Sequence, residues 1–135
     1  MNRQHHHQRP VAEAAFGFCQ VVENGPDIFI AGMISVDVDF NVLDAGDMAA
    51  QTRRVYSDVI AVLQQLSCGP ADILTETIYV TDMPALLAVN DIRKAILTER
   101  CRPATTAVQV AALVLPGLTI EVACHAHRQA MQPRS

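Results

Sequence analysis

Glu121 is the residue whose type and setting most demand chemistry. It stands in the run Ile120-Glu121-Val122-Ala123-Cys124. The two-residue period of a strand puts Ile120, Val122 and Cys124 on one face and Glu121 on the other, with Ala123 and His125. A carboxylate in so apolar a strand must be paired, protonated or at work as an acid or base. Arg102 and Arg128 are the partners available for a purely structural ion pair. His125 and His127 share its face and titrate near neutral pH, although a strand-end histidine is more often satisfied or exposed. The four cysteines, Cys19, Cys68, Cys101 and Cys124, show no CxxC spacing, as expected of free thiols in a reducing cytoplasm. Cys19 and Cys124 read as small buried hydrophobes without a basic partner to ionise them. His5, His6 and His7 can trap a metal ion adventitiously. With neither acid nor thiol close in sequence to complete a shell, no metal site is expected. There is no Walker loop, GxGxxG or paired-histidine motif, so cofactor-free chemistry is expected.

The elements that must position these residues follow from periodicity and punctuation. Residues 1–15 read as a polar N-terminal tail, and residues 129–135 as a C-terminal one. Residues 18–23 read as a strand, Asn24-Gly25-Pro26-Asp27 as a turn, and residues 27–34 as a second, β-branched strand, together a hairpin. Gly32 interrupts that strand. The interruption marks a bulge, a close approach of ligand or backbone, or simply a weak spot in an edge strand. Asp47 can cap a helix whose stripe runs Met48, Val55, Val59, Val62, Leu63, Leu66, ending at Cys68-Gly69-Pro70. Residues 73–80 alternate as a strand. Thr81-Asp82-Met83-Pro84 then opens a second helix running to about residue 99, with Leu86, Leu87, Val89, Ile92, Ile96 and Leu97 facing inward. Residues 105–115 and 118–126 read as two closing strands around a Pro116-Gly117 turn. The order β-β-α-β-α-β-β predicts an α+β domain, a mixed sheet with two helices on one face. The other face is left to be covered, most simply by another copy of the chain.

Composition narrows the function classes. At 135 residues, half of them hydrophobic and 18% charged, the chain fits one globular domain rather than extended disorder. A net charge of −4 with scattered basic residues argues against tracking a nucleic-acid backbone. No apolar run reaches the length that spans a bilayer, and no signal peptide is recognisable. A cytoplasmic protein that touches neither membrane nor nucleic acid is the expectation.

Several strings stand in the order and spacing of one family. They are Phe29-Ile30-Ala31-Gly32-Met33-Ile34, Ala49-Ala50-Gln51-Thr52-Arg53-Arg54-Val55, Ile78-Tyr79-Val80-Thr81-Asp82-Met83, Val89-Asn90, Arg102-Pro103-Ala104-Thr105-Thr106 and Ile120-Glu121-Val122. Over residues 16–128 the chain resembles the RidA (YjgF) family of imine and enamine deaminases. The resemblance implies a homotrimer whose sheets face inward, with a cleft between each pair of subunits for a small-molecule ligand. It assigns Glu121 to positioning the attacking water and places Phe18, Gly32, Asn90, Thr105, Thr106 and Ala107 in or beside the cleft. The chain departs from the family's pattern there. Thr105 stands where an arginine grips the substrate carboxylate, Phe18 where a tyrosine is frequent, and Ala107 where a small thiol residue is usual. A threonine hydroxyl offers one neutral hydrogen bond where arginine offers two charge-assisted ones. The expected function is therefore a hydrolase or deaminase acting on an imine, enamine or related molecule that lacks the usual small amino-acid carboxylate and so is not 2-aminoacrylate. Arg102, three residues before Thr105, is placed to reach the cleft from its rim as a substitute clamp, although an arginine so placed is more often a solvated surface charge. A pathway-specific tautomerase or condensation enzyme, or a non-catalytic metabolite-binding trimer, are the alternatives on the same scaffold.

Overall fold

The computed structural model describes residues 3–97 and 102–129. In chain order these form β1 (Arg3–His6), α1 (Pro10–Phe16), β2 (Val21–Asn24), β3 (Asp27–Met33), α2 (Met48–Gln65), a 3-10 turn (Pro70–Asp72), β4 (Ile73–Val80), α3 (Met83–Ile96), β5 (Ala104–Gln109) and β6 (Ile120–His127). The strands make one six-stranded sheet in the order β1-β2-β3-β6-β4-β5. All neighbours pair antiparallel except β4 and β5, which run parallel and are joined through α3. The two long helices pack on each other and cover one face. Ile28, Ile30, Ile78, Val80, Ile120 and Val122 project into that layer from the sheet, and Val55, Val59, Leu63 and Leu86 meet them from the helices.

The helix boundaries have the local causes read from the sequence. Asp47 accepts from the Ala50 amide at 3.0 Å and Asp82 from the Ala85 amide at 3.1 Å, satisfying first-turn donors that no carbonyl reaches. Pro84 follows at the second cap, where its missing N–H costs nothing.

Two expectations change. The stretch read as a tail contains β1 and α1, because Glu13, fully buried, accepts the amides of Gln8, Arg9 and Gln20 and ties them into the domain. The strand expected over residues 105–115 stops at Gln109, since beyond it Ala111 to Leu118 line an open pocket instead of pairing. The second helix is regular to Ile96, and the end expected near residue 99 lies outside the described residues, as does Cys101.

Candidate functional site

Glu121 sits on the uncovered face, where burial alternates along β6 as expected: Ile120, Val122, Cys124 and Ala126 are buried, and Glu121, Ala123 and His125 partly exposed. The pairing of β3 with β6 slips between Ile30 and Met33, so Ala31 and Gly32 bulge opposite Ala123. The bulge lays the Glu121 side chain against the Gly32 backbone. A Cβ built on Gly32 would stand 2.1 Å from Glu121 Oε2, closer than any real side chain allows. Gly32 is thus the residue that lets the carboxylate lie there. Burial raises the Glu121 pKa above the usual carboxylate range, since desolvation penalises the charged form. No described residue donates a hydrogen bond to it, and Arg128, one of its possible structural partners, binds Glu23 at 2.7 Å and the Leu66 carbonyl instead. A half-buried carboxylate with a raised pKa and vacant acceptor sites is equipped to take a proton from water.

Thr105 is not beside Glu121. It pairs with Glu76 across β4 and β5 and so faces the helices, whereas Thr106 pairs with Thr77 and shares the Glu121 face. Neighbouring residues on a strand point to opposite sides, so the two hydroxyls cannot serve one ligand bound to a single chain. The Thr105 Oγ1 instead donates to Glu76 Oε2 at 2.9 Å and accepts from Arg93 Nη2 at 2.8 Å. Glu76 is buried, receives Tyr56 Oη–H at 2.5 Å, and forms an ion pair with Arg93 through Nε at 3.2 Å and through Nη2. Desolvation, then the nearby Glu76 charge, pushes the Tyr56 pKa far up, so the phenol stays protonated and donating. A cavity of about 310 Å³ opens beside this cluster, lined by Arg93, Lys94, Leu97, Arg102, Pro103 and Thr105.

The remaining sequence candidates fall in two groups. Arg102 lines the Arg93 cavity on the helix side of the sheet, away from Glu121. Asn90 lies three residues before Arg93 on α3, partly buried, and Ala107 is on the exposed edge strand β5 with Ile78 as its partner. Phe18 is partly buried in the turn between α1 and β2, its amide bonded to the Glu13 carbonyl. His125 and His127 both hydrogen-bond Asp27 Oδ1, at 3.0 and 2.9 Å, and hold its pKa down. The Cys124 thiol is pushed up to about 12 by burial first, too high for a nucleophile at neutral pH.

Sequence reasoning missed two features. Arg93 and Glu76 carry a readable signal: Glu76 is in phase with Ile78 and Val80 on β4, and Arg93 falls between Leu86 and Leu97 at helical spacings of seven and four. The other is a trio. Folding brings Glu13 and Cys19 beside His7, with ligand atoms within 4.8 Å of one another, although no acid or thiol stands close to the histidines in sequence. Each Glu13 oxygen already accepts two hydrogen bonds, from His7 and Gln20 and from Gln8 and Arg9. The trio is wired as a fastening for β1 and α1.

Over residues 7–128 the sequence matches the family described as Endoribonuclease L-PSP. The chain belongs to this family, the one also called RidA or YjgF. Within it, the chain is 32% identical over 100 residues to the 3-aminoacrylate deaminase RutC of Acinetobacter baylyi, covering 74% of this chain and 78% of that protein. It is equally close, over 98 residues, to a RutC family protein of Synechocystis, covering 72% of this chain and 75% of that protein. Among solved structures it superposes with TM-score 0.80 on Rv2704 of Mycobacterium tuberculosis, a YjgF/YER057c/UK114 family member, at 29% identity over 93% of this chain and 99% of that one. RidA of Psychrobacter gives 0.72 at 25% identity, covering 82% and 87%. The α+β fold expected from the sequence is the RidA/YjgF fold. No helix among the described residues is long and apolar enough to cross a membrane.

Proposed function

We propose that this chain is a cofactor-free imine or enamine hydrolase whose base is Glu121, working in clefts completed by neighbouring copies of a homotrimer. The observation that carries the reading is the Glu121 carboxylate, half-buried, its pKa raised, without a donor among the described residues, and laid against a glycine whose position a Cβ could share only by displacing it. In the reaction Glu121 takes a proton from water as the oxygen adds to the imine carbon, and returns that proton to the nitrogen. It then takes the hydroxyl proton as the C=O bond reforms and passes it to the nitrogen as the C–N bond breaks, so that ammonia leaves and the carboxylate is restored. The deaminase name of the Acinetobacter relative supports this reaction class. The ribonuclease name of the family is less well served by a chain of net charge −4, because binding a polyphosphate backbone draws on clustered basic residues.

The test is ammonia release from freshly generated 2-aminoacrylate and larger imino acids, comparing wild type with Glu121→Gln and Thr105→Arg. Wild type is expected to turn over at least one imine, and Glu121→Gln to lose about 100-fold or more, the usual share of a general base. Because the Glu121 pKa is raised, the acid limb of the wild-type rate profile is expected above the range of an ordinary carboxylate. Silence from wild type on every imine, with activity gained only by Thr105→Arg, would point to intact machinery for another substrate. Full activity in Glu121→Gln would end the assignment.

A further inference from the structure

We infer that the cavity at the end of α3 binds a small carboxylate and that Arg93 is the residue that grips it. This deepens the hydrolase reading by naming a handle on the substrate, and it reverses the expectation, drawn from Thr105 alone, of a substrate without a carboxylate.

Among the described residues that line the cavity there are three cations, Arg93, Lys94 and Arg102, and no acid. A recess of about 310 Å³ lies at the small end of the range of ligand pockets and suits a small molecule. Lys94 is an exposed side chain engaged with Asp91 at 3.7 Å, and an exposed ammonium on a flexible stem gives little orientation. Arg93 is different. Its side chain is only 15% exposed, and its Nε and Nη2 are fixed on Glu76 and Thr105. Its Nη1 bonds no described residue and keeps two donors in reserve.

That arrangement gives Thr105 a definite task. Its single hydroxyl is consumed by Glu76 and Arg93, so it is a strut for the guanidinium and has no hydrogen left for a ligand. Glu76, held in turn by the Tyr56 phenol, fixes the same guanidinium. A guanidinium with its rotamer already fixed loses little entropy on binding, and its planar donors match a carboxylate better than a spherical ammonium does. Asn90, one turn earlier on α3, stands on the same stripe as Arg93.

Binding of pyruvate, the keto acid that hydrolysis of 2-aminoacrylate releases, tests the inference by NMR titration, following the Arg93 Nε and Thr105 amide signals. Its uncharged isostere pyruvamide and inorganic phosphate are the comparison probes. Wild type is expected to bind pyruvate with shifts at both signals and to bind pyruvamide roughly tenfold or more weakly. The double variant Glu76→Gln/Arg93→Gln keeps a neutral pair in the core and is expected to weaken pyruvate roughly tenfold or more. Arg93→Lys, which leaves a cation on Glu76, removes the fork and is expected to weaken it about threefold to tenfold. Unchanged pyruvate affinity in both variants, no pyruvate binding by wild type, or tighter binding of phosphate would each overturn the inference. The outcome separates from that of the hydrolase reading. Glu121-dependent ammonia release with an unchanged KM in the Arg93 variants would keep the reaction and remove the clamp. Arg93-dependent pyruvate binding without turnover of any imine would keep the clamp and remove the reaction.

Discussion

At the scale of single residues, the candidate site depends on one pair, Gly32 and Glu121, in which each explains the other. The glycine is required by close approach, since the backbone at Gly32 is in a region open to other residues and only the neighbouring carboxylate forbids a Cβ. Gly32→Ala therefore needs no new backbone conformation. It must push the Glu121 side chain aside or shift β3 against β6. The expected result is a folded protein destabilised by about 1–3 kcal/mol, the range for overpacking a filled site. Turnover is expected to fall by about 100-fold or more, as if the base had been removed. Thermal unfolding and ammonia release on the same sample would check this, and retention of full activity would separate the carboxylate from the chemistry.

At the scale of elements, the sequence was most legible where a local rule acts alone. Asp47, Asp82 and Pro84 announce the two long helices, alternation fixes β4 from Ile73 to Val80, and Gly32 announced the bulge. It failed where long-range contacts decide. Nothing in residues 3–16 has the pattern of a core element, yet Glu13 organises them through bonds to His7 and Gln20, six and seven residues away, that no periodicity announces. The faces of β5 were not legible for the same reason. Thr105 and Thr106 are both β-branched and polar, and only the pairing with Glu76 and Thr77 decides which side each takes. The weight placed on Glu13 has a consequence. Burial alone would raise its pKa, but the hydrogen bonds from Arg9, Gln20 and His7 outweigh it and hold the group below the usual range. A depressed folded pKa means stability that is present above the unfolded pKa and is lost as pH falls through the folded one. Glu13→Gln turns an amide NH₂ toward backbone donors and is expected to cost about 2–3 kcal/mol at pH 7. The gap in melting temperature from wild type should close as the buffer is taken well into the acid range. A gap that is independent of pH would mean the carboxylate's charge is not what fastens β1 and α1.

At the scale of the whole molecule, the two parts of the site lie on opposite sides of one sheet. Glu121 and Gly32 face away from the helices, and Arg93 and Thr105 open at the β5 edge on the helix side. One chain cannot bring them to one ligand. In the proposed homotrimer they meet if the β5 edge of one copy is set against the uncovered sheet face of the next. The uncovered face is suited to such a contact. Phe29, 45% exposed, stacks on His125 with ring centroids 4.4 Å apart, and Val108 is 38% exposed in the same row as Tyr79 and Glu121. A trimer is therefore expected in light scattering at micromolar concentration. Phe29→Glu would place a charge where a neighbour must exclude water, at a cost of several kcal/mol per buried, unpaired carboxylate. The variant is expected to run as a folded monomer, because Phe29 contributes nothing to the helix-side core, and to lose ammonia release with assembly. A monomer that kept its full rate would show that Glu121 works within one chain and that the Arg93 cavity serves a separate ligand.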